Sequence, residues 1–337
     1  MSCVHGINAQ TQEQKQTDSA KIIYSGYFGE NTMRYDFHHA GNSVNEYYYF
    51  DKLIREGEWA GSRVSLINPF DYGEQHFRII DNATGNVIYK NNYCTLFNEW
   101  QTTPEAAATS RSFPEGVIFP EPKNDFTIEF YARNKQSKVW EKKFSQSIKV
   151  NDFNIYPSYT TYEQLDIHIG GDIAHSLDIV LLPDGFTATE KEKFIEACKM
   201  WSDALFSYEP FTQNKHRINV RAVWAPSQES GISVPGKGEW KNTLLGCRFY
   251  TFNSERYQMT EEFQKVRDVA ASAPYECIYI LTNTDKYGGG GIYNHYGLGS
   301  AGKTGRTGEV YVHEFGHSLM GLGDEYIEIG NTVSALY

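Results

Sequence analysis

The residues best placed to do chemistry lie near the C-terminal end of the 337-residue chain. His313 and His317 are four residues apart, and Glu314 follows the first of them, in the pattern H-E-x-x-H. Side chains four residues apart on a helix share one face, so the two imidazoles can bind one metal ion. The carboxylate of Glu314 can then accept a proton from an attacking water. Zinc suits these donors, and a catalytic zinc site needs a third protein ligand.

The third ligand is expected just after the second histidine. Gly321 and Gly323 favour a turn that ends the helix, and the turn would bring Asp324 or Glu325 back towards the metal. We take Asp324 as the ligand and Glu325 as an acceptor that orients a ligand histidine. The spacing also allows the reverse assignment.

The elements that must position these residues fall in an α/β segment, residues 176–337. A continuous apolar run, Ile179–Leu182, is typical of a strand that is covered on both faces. Thr187 and Glu190 form a capping-box pattern before a predicted helix. Further elements predicted from the spacing are an apolar helix face (Phe194, Cys198, Trp201, Leu205), a strand at Ile218–Trp224, a helix opening at Thr260–Glu262, a strand at Cys277–Leu281 and an apolar side of the metal helix (Phe315, Leu319, Leu322).

Residues 21–150 are typical of an antiparallel β-sandwich, because short strand-like runs alternate with turn residues. The predicted strands are Val64–Ile67, Phe77–Ile80, Val87–Lys90, Phe126–Phe130 and Val139–Val150. His38 and His39 should point to opposite faces of an extended chain, so we assign them to the surface rather than to a metal. Residues 151–175 are predicted to be a linker, and residues 1–20 the remnant of an export signal or a disordered start.

Two glycine-rich stretches precede the metal motif. Tyr287–Asn294 contains four consecutive glycines. This stretch is interpreted either as a strand that pairs with an extended substrate or as a mobile loop. Gly297–Thr304 matches the phosphate-loop pattern G-x-x-x-x-G-K-[ST]. A phosphate loop follows a buried strand directly and opens a helix, and neither is predicted here, so we expect no nucleotide.

Composition excludes several classes of function. The net charge of −11 argues against general nucleic-acid binding, and no apolar run is long enough to cross a membrane. Hydrophobic residues at 40% and charged residues at 22% are typical of a packed protein. None of the five cysteines forms a C-x-x-C pair, so a thiolate zinc site is not predicted, and any disulfide pairing cannot be deduced.

The chain resembles the IgA peptidase family of bacterial zinc metallopeptidases from about residue 21 onwards. The zinc motif with its glycine turn and acidic pair is the most specific part of the resemblance. The stretches that carry it are Trp59–Ser62 and Phe113–Gly116, which are similar to the family's N-terminal β-domain, then Asp178–Thr187, His313–His317 and Gly321–Tyr326.

The resemblance implies a secreted, periplasmic or cell-surface zinc endopeptidase that acts on a protein or peptide and has a zincin catalytic domain of the metzincin-like kind. It makes His313, His317 and Asp324 the metal ligands, and Glu314 the base. Metzincin-like enzymes also have a methionine turn beneath the metal, and Met320 lies inside the motif and cannot supply it. We therefore expect a fragment that lacks this turn. The alternative is a secreted binding protein for a surface or host ligand, with an inactive or structural zinc site.

Overall fold

The computed structural model describes residues 22–159, 161–303 and 305–324. Strands dominate and helices lie between them, so the chain has an α+β fold. The four cysteines in these ranges are free thiols. None of the helices described is both long and apolar enough to span a bilayer. The predicted leader or disordered start, Thr304, Glu325 and the residues after it lie outside the described ranges.

The N-terminal region, residues 22–157, forms two four-stranded sheets, with strand orders β5-β1-β2-β8 and β4-β3-β6-β7. All pairings are antiparallel except the short one between β2 and β8. Phe37 of the first sheet and Phe130 of the second meet with ring centroids 4.8 Å apart, inside one shared core. The elements are α1 (Tyr24–Tyr27), β1 (Phe28–Gly41), β2 (Glu46–Glu58), β3 (Gln75–Asp81), β4 (Val87–Tyr93), α2 (Leu96–Trp100), α3 (Pro104–Ala108), β5 (Arg111–Pro122), β6 (Phe126–Arg133), β7 (Trp140–Ile148) and β8 (Ile155–Pro157).

The predicted strands of this region are confirmed except for one. Val64–Ile67 is irregular, because the Ser62 hydroxyl accepts hydrogen bonds from the amides of Val64 and Ser65 and so holds a turn. The surface assignment of His39 is wrong: the ring is fully buried. It is held there by carboxylates from two strands, because Nε2 lies 2.8 Å from Glu46 and Nδ1 lies 3.2 Å from Glu115.

The C-terminal region, residues 161–324, is built on a six-stranded sheet of order β13-β14-β12-β10-β11-β9. The four inner strands are parallel, and the two edge strands run antiparallel to their neighbours. Ile179 and Leu181 of β10 face one core and Val180 and Leu182 face the other, so both faces of the sheet are covered as predicted. The elements are β9 (Glu163–Ile169), β10 (Leu177–Asp184), α4 (Lys191–Leu205), α5 (Phe211–Asn214), β11 (Ile218–Trp224), α6 (Phe263–Ala270), β12 (Cys277–Thr282), β13 (Gly289–Ile292), β14 (Tyr296–Ser300) and α7 (Thr307–Met320), with 3-10 turns at Ile173–His175, Ala188–Glu190, Lys215–Arg217, Pro235–Lys237 and Thr251–Asn253.

The capping box and the apolar face of α4 are confirmed. The side chains of Thr187 and Glu190 each bond to the other's backbone. All four residues of the predicted face are buried. The segment predicted to be a linker contains β8 and β9, and β9 completes the sheet of the C-terminal region by pairing with β11.

The two regions share buried contacts. Trp100 and Phe113 of the N-terminal region belong to the same apolar cluster as Val266 of α6. Buried Arg34 binds Glu56 at 3.0 Å and also reaches Asp268 of α6 at 2.5 Å. Asp36 is a further partner of this guanidinium, at 2.9 Å. Polar and apolar contacts therefore join the regions.

Candidate metal centre

Helix α7 carries the H-E-x-x-H pattern and is anchored by its opposite face. Tyr311, Phe315 and Ser318 are buried, and the Phe315 ring meets Trp201 of α4 edge-on, with centroids 5.2 Å apart. Leu319 is partly buried against the same core. The helix therefore presents its histidines on the side away from the core.

Glycines in β14 let this helix lie close to the sheet. A Cβ atom on Gly297 would come 2.9 Å from the Ser318 hydroxyl, and one on Gly299 would come 3.3 Å from the Tyr311 ring of the same helix. These glycines belong to the phosphate-loop pattern, but residues 297–300 form a buried strand and not a loop. Exposed Lys303 pairs with Glu196 of α4 at 3.2 Å.

The turn after α7 brings the third predicted ligand to the two histidines. Gly321 ends the helix in the left-handed conformation, with φ of 64°. Beyond it, Asp324 Oδ1 lies 3.1 Å from His313 Nε2 and 3.3 Å from His317 Nε2. The two Nε2 atoms are 3.0 Å apart. These three residues form the only cluster of metal-ligand type among the residues that the structure describes.

The spacing of the three donor atoms fits a zinc ion. Zinc bonds to nitrogen and oxygen are about 2.0–2.1 Å long, so the edge of an ideal zinc tetrahedron is about 3.3 Å. The donor separations of 3.0–3.3 Å are close to that edge. About two-fifths of the side chains of His313 and Asp324 is exposed, which leaves the cluster open to a water or a substrate.

The protonation of the histidines also suits metal binding. His317 Nδ1 hydrogen-bonds the carbonyl of Leu322, which can only accept, so this bond favours the tautomer in which Nδ1 is the donor and Nε2 is the metal-binding nitrogen. Burial and the neighbouring His317 lower the pKa of His313, which favours its neutral form. The prediction that Leu322 continues the apolar side of the metal helix is wrong: the helix ends at Met320, and Leu322, beyond the Gly321 turn, is 54% exposed.

Glu314 lies beside the cluster against strand β13. Its carboxylate is so close to the strand that a Cβ atom on Gly289 would lie 2.9 Å from Oε1. Burial, with the Asp324 carboxylate as a smaller cause, raises the pKa of Glu314 to about 8. A carboxyl group with such a pKa can exchange a proton near neutral pH.

Strand β13 is held along its outer edge. The Gly289 carbonyl accepts a hydrogen bond from Gln258 N at 3.2 Å, and the Tyr293 carbonyl accepts one from Cys94 N of the N-terminal region at 3.0 Å. The predicted glycine-rich stretch is therefore an ordered edge strand rather than a mobile loop. Between these two bonds, only a short part near Gly291 is left for pairing with an extended substrate.

Sequence reasoning missed the residues that support the cluster from β13 and from the turn after it. A Cβ atom on Gly291 would lie 2.3 Å from the Glu314 carbonyl oxygen and 2.9 Å from His317 Cβ. Asn294 donates its backbone N–H to the Ser318 carbonyl at 2.8 Å. The run of glycines indicated that the backbone lies close to another segment, but the sequence did not show that this segment is the metal helix.

Comparison with known families identifies the class of protein, a peptidase whose family implies a metal and a protein or peptide substrate. The family model described as IgA Peptidase M64 matches residues 165–335. The model described as Peptidase M64 N-terminus matches residues 23–145. The chain belongs to the IgA peptidase M64 family, as the resemblance predicted. A search of curated proteins found no significant match.

Proposed function

We propose that the chain is an exported zinc-dependent endopeptidase with a metzincin-like zincin domain, in which His313, His317 and Asp324 hold the zinc. The triangle of Nε2, Nε2 and Oδ1 atoms is the observation that carries the proposal. Its edges of 3.0–3.3 Å suit zinc, and the carboxyl group of Glu314 is near enough for the charge of Asp324 to contribute to its raised pKa. Export rests on the family resemblance alone.

Different residues of the chain have different roles in the proposed reaction. A bound zinc would acidify a water and polarise the scissile carbonyl. Glu314 accepts the proton of the attacking water and passes it to the leaving amine. Strand β13 passes close to this carboxylate at Gly289, where a Cβ atom would lie 2.9 Å from Oε1. The hydrogen bond from His317 Nδ1 to the Leu322 carbonyl keeps Nε2 aimed at the metal.

Metal analysis and a cleavage assay test the proposal together. We expect one zinc per chain after metal-replete purification and cleavage of unfolded casein that a chelator abolishes. Glu314→Gln should keep the zinc and lose about 10²–10⁴-fold in rate, because an amide cannot accept the proton. Glu309→Gln is the matched control, because Glu309 is a solvent-exposed acid on the same helix.

Three results would count against this function. Absence of zinc would refute the metal site. Full activity of Glu314→Gln would refute the role of the base. Zinc binding without cleavage of any protein or peptide would instead favour a binding protein with a structural zinc site.

A further inference from the structure

Asn294, in the turn between β13 and β14, supports the end of the metal helix. Its backbone N–H donates to the Ser318 carbonyl at 2.8 Å. Ser318 lies in the last turn of α7, where carbonyls have no partner within the helix. Asn294 has a φ of 50°, a left-handed conformation that asparagine tolerates better than most residues. The turn thus supplies a partner to the helix end from outside.

The side chain of the same residue reaches the N-terminal region. Asn294 Nδ2 donates to the Asn92 carbonyl at 2.7 Å and lies 3.3 Å from Asn91 Oδ1. The preceding carbonyl, of Tyr293, accepts from Cys94 N at 3.0 Å. Three polar contacts therefore tie the turn to strand β4 and the residue that follows it.

The stretch that leads to the third ligand is flanked by this turn. A Cβ atom on Gly321, the residue that ends α7, would lie 3.1 Å from the Tyr293 ring. On its other side, the same ring would lie 3.3 Å from a Cβ atom on Gly73 of the N-terminal region. The path from Ser318 to Asp324 thus runs beside residues that the N-terminal region holds.

We propose that Asn294 is a positioning residue through which the N-terminal region holds the metal site in its binding geometry. The inference rests on the zinc site proposed above. A metal site requires ligand distances within about 0.2 Å of ideal values, and Asp324 lies on an exposed turn after the helix. If the turn that carries Asp324 were free to move, zinc binding would have to order it. The N-terminal region thus raises zinc affinity without supplying a ligand.

Zinc affinity of variants of the 337-residue chain tests the inference. Asn294→Gly keeps the left-handed backbone and the N–H to Ser318, but removes the side-chain bonds to Asn92 and Asn91. We expect an affinity about 3- to 10-fold lower by chelator competition, as the loss of these side-chain hydrogen bonds predicts, and a changed visible spectrum of the cobalt form. Asn294→Asp has the same size and also loses the N–H donor, so it should show the same change if the glycine variant does not fold.

Asn253→Gly is the matched control, because it makes the same substitution at another asparagine with positive φ, of 66°. Its affinity and spectrum should equal those of the wild type. Wild-type affinity and spectrum in both Asn294 variants would overturn the inference, and so would an equal loss in Asn253→Gly. A wild-type protein that binds neither zinc nor cobalt would instead refute the metal site itself.

Discussion

A single methyl group on strand β13 should weaken the metal site. In Gly291→Ala, the new Cβ would lie 2.3 Å from the Glu314 carbonyl oxygen, against 3.4 Å for an ordinary contact. The helix backbone or the strand must therefore move by about 1.1 Å, the difference between these two distances. Overpacking of this kind typically costs about 1–3 kcal/mol of folding free energy.

The same movement is large on the scale of a metal site, where ligand distances hold within about 0.2 Å. The new Cβ would also lie 2.9 Å from His317 Cβ, so the displaced part of the helix carries a ligand. We expect a zinc affinity at least tenfold lower. A tenfold loss corresponds to about 1.4 kcal/mol, which is the part of the overpacking cost that would destabilise the zinc-bound form.

Gly289→Ala separates the base from the ligands. Its Cβ would meet the Glu314 side chain at 2.9 Å rather than helix backbone, so that flexible side chain can move aside. We expect near-normal zinc affinity and a lower rate of cleavage.

Gly57→Ala is the control, because Gly57 is a strand glycine with open space around its Cβ position. The assays are chelator competition and thermal unfolding with and without zinc. Wild-type zinc affinity in Gly291→Ala would refute the reasoning.

Three further predictions concern other residues. Asp324→Ala should lower zinc affinity by more than the roughly 10–100-fold expected for loss of an orienting acceptor in Glu325→Ala, and chelator competition showing the opposite order would exchange their roles. Calorimetry with ATP and magnesium should detect no binding to the wild type or to Lys303→Ala, whereas micromolar binding that the substitution removes would restore a nucleotide site. Burial opposes the charged form of His39, but Glu115 and Glu46 outweigh burial and raise the pKa of His39 to about 9. Its stabilising contribution, at most about 3 kcal/mol, should be complete below pH 6.5 and be lost as the pH rises through 9, so the stability difference between wild type and His39→Gln should shrink across that window in thermal unfolding. A difference that does not change with pH would contradict the charged state of His39.

The parts of the fold that local spacing determines were predicted. The four-residue spacing of His313 and His317 and the glycine turn are local, and they place the histidines and Asp324 together. The face of α4 and the run at Ile179–Leu182 follow from the period of a helix and from burial on both faces of a sheet.

The parts that depend on distant partners were not predicted. Strands β1, β2 and β5 were missed because residues such as Arg34, Asp36 and His39 are polar yet buried. Their partners lie far along the chain, since Glu56 and Glu115 come from other strands. Simple alternation of apolar and polar residues cannot show such pairs. The roles of Gly291 and Asn294 were missed for the same reason.

The buried charges between the two regions should hold them together even when the chain is cut between them. Arg34 is 1% exposed and holds Asp268 of α6, while the Tyr275 hydroxyl donates to Glu56 from the other side. Separation of the two regions would remove Asp268 from the ionised guanidinium of Arg34. It would also expose the apolar surface between the regions to water. A protease that cuts the connecting segment should therefore yield two fragments that migrate together on a sizing column and separate only in denaturant.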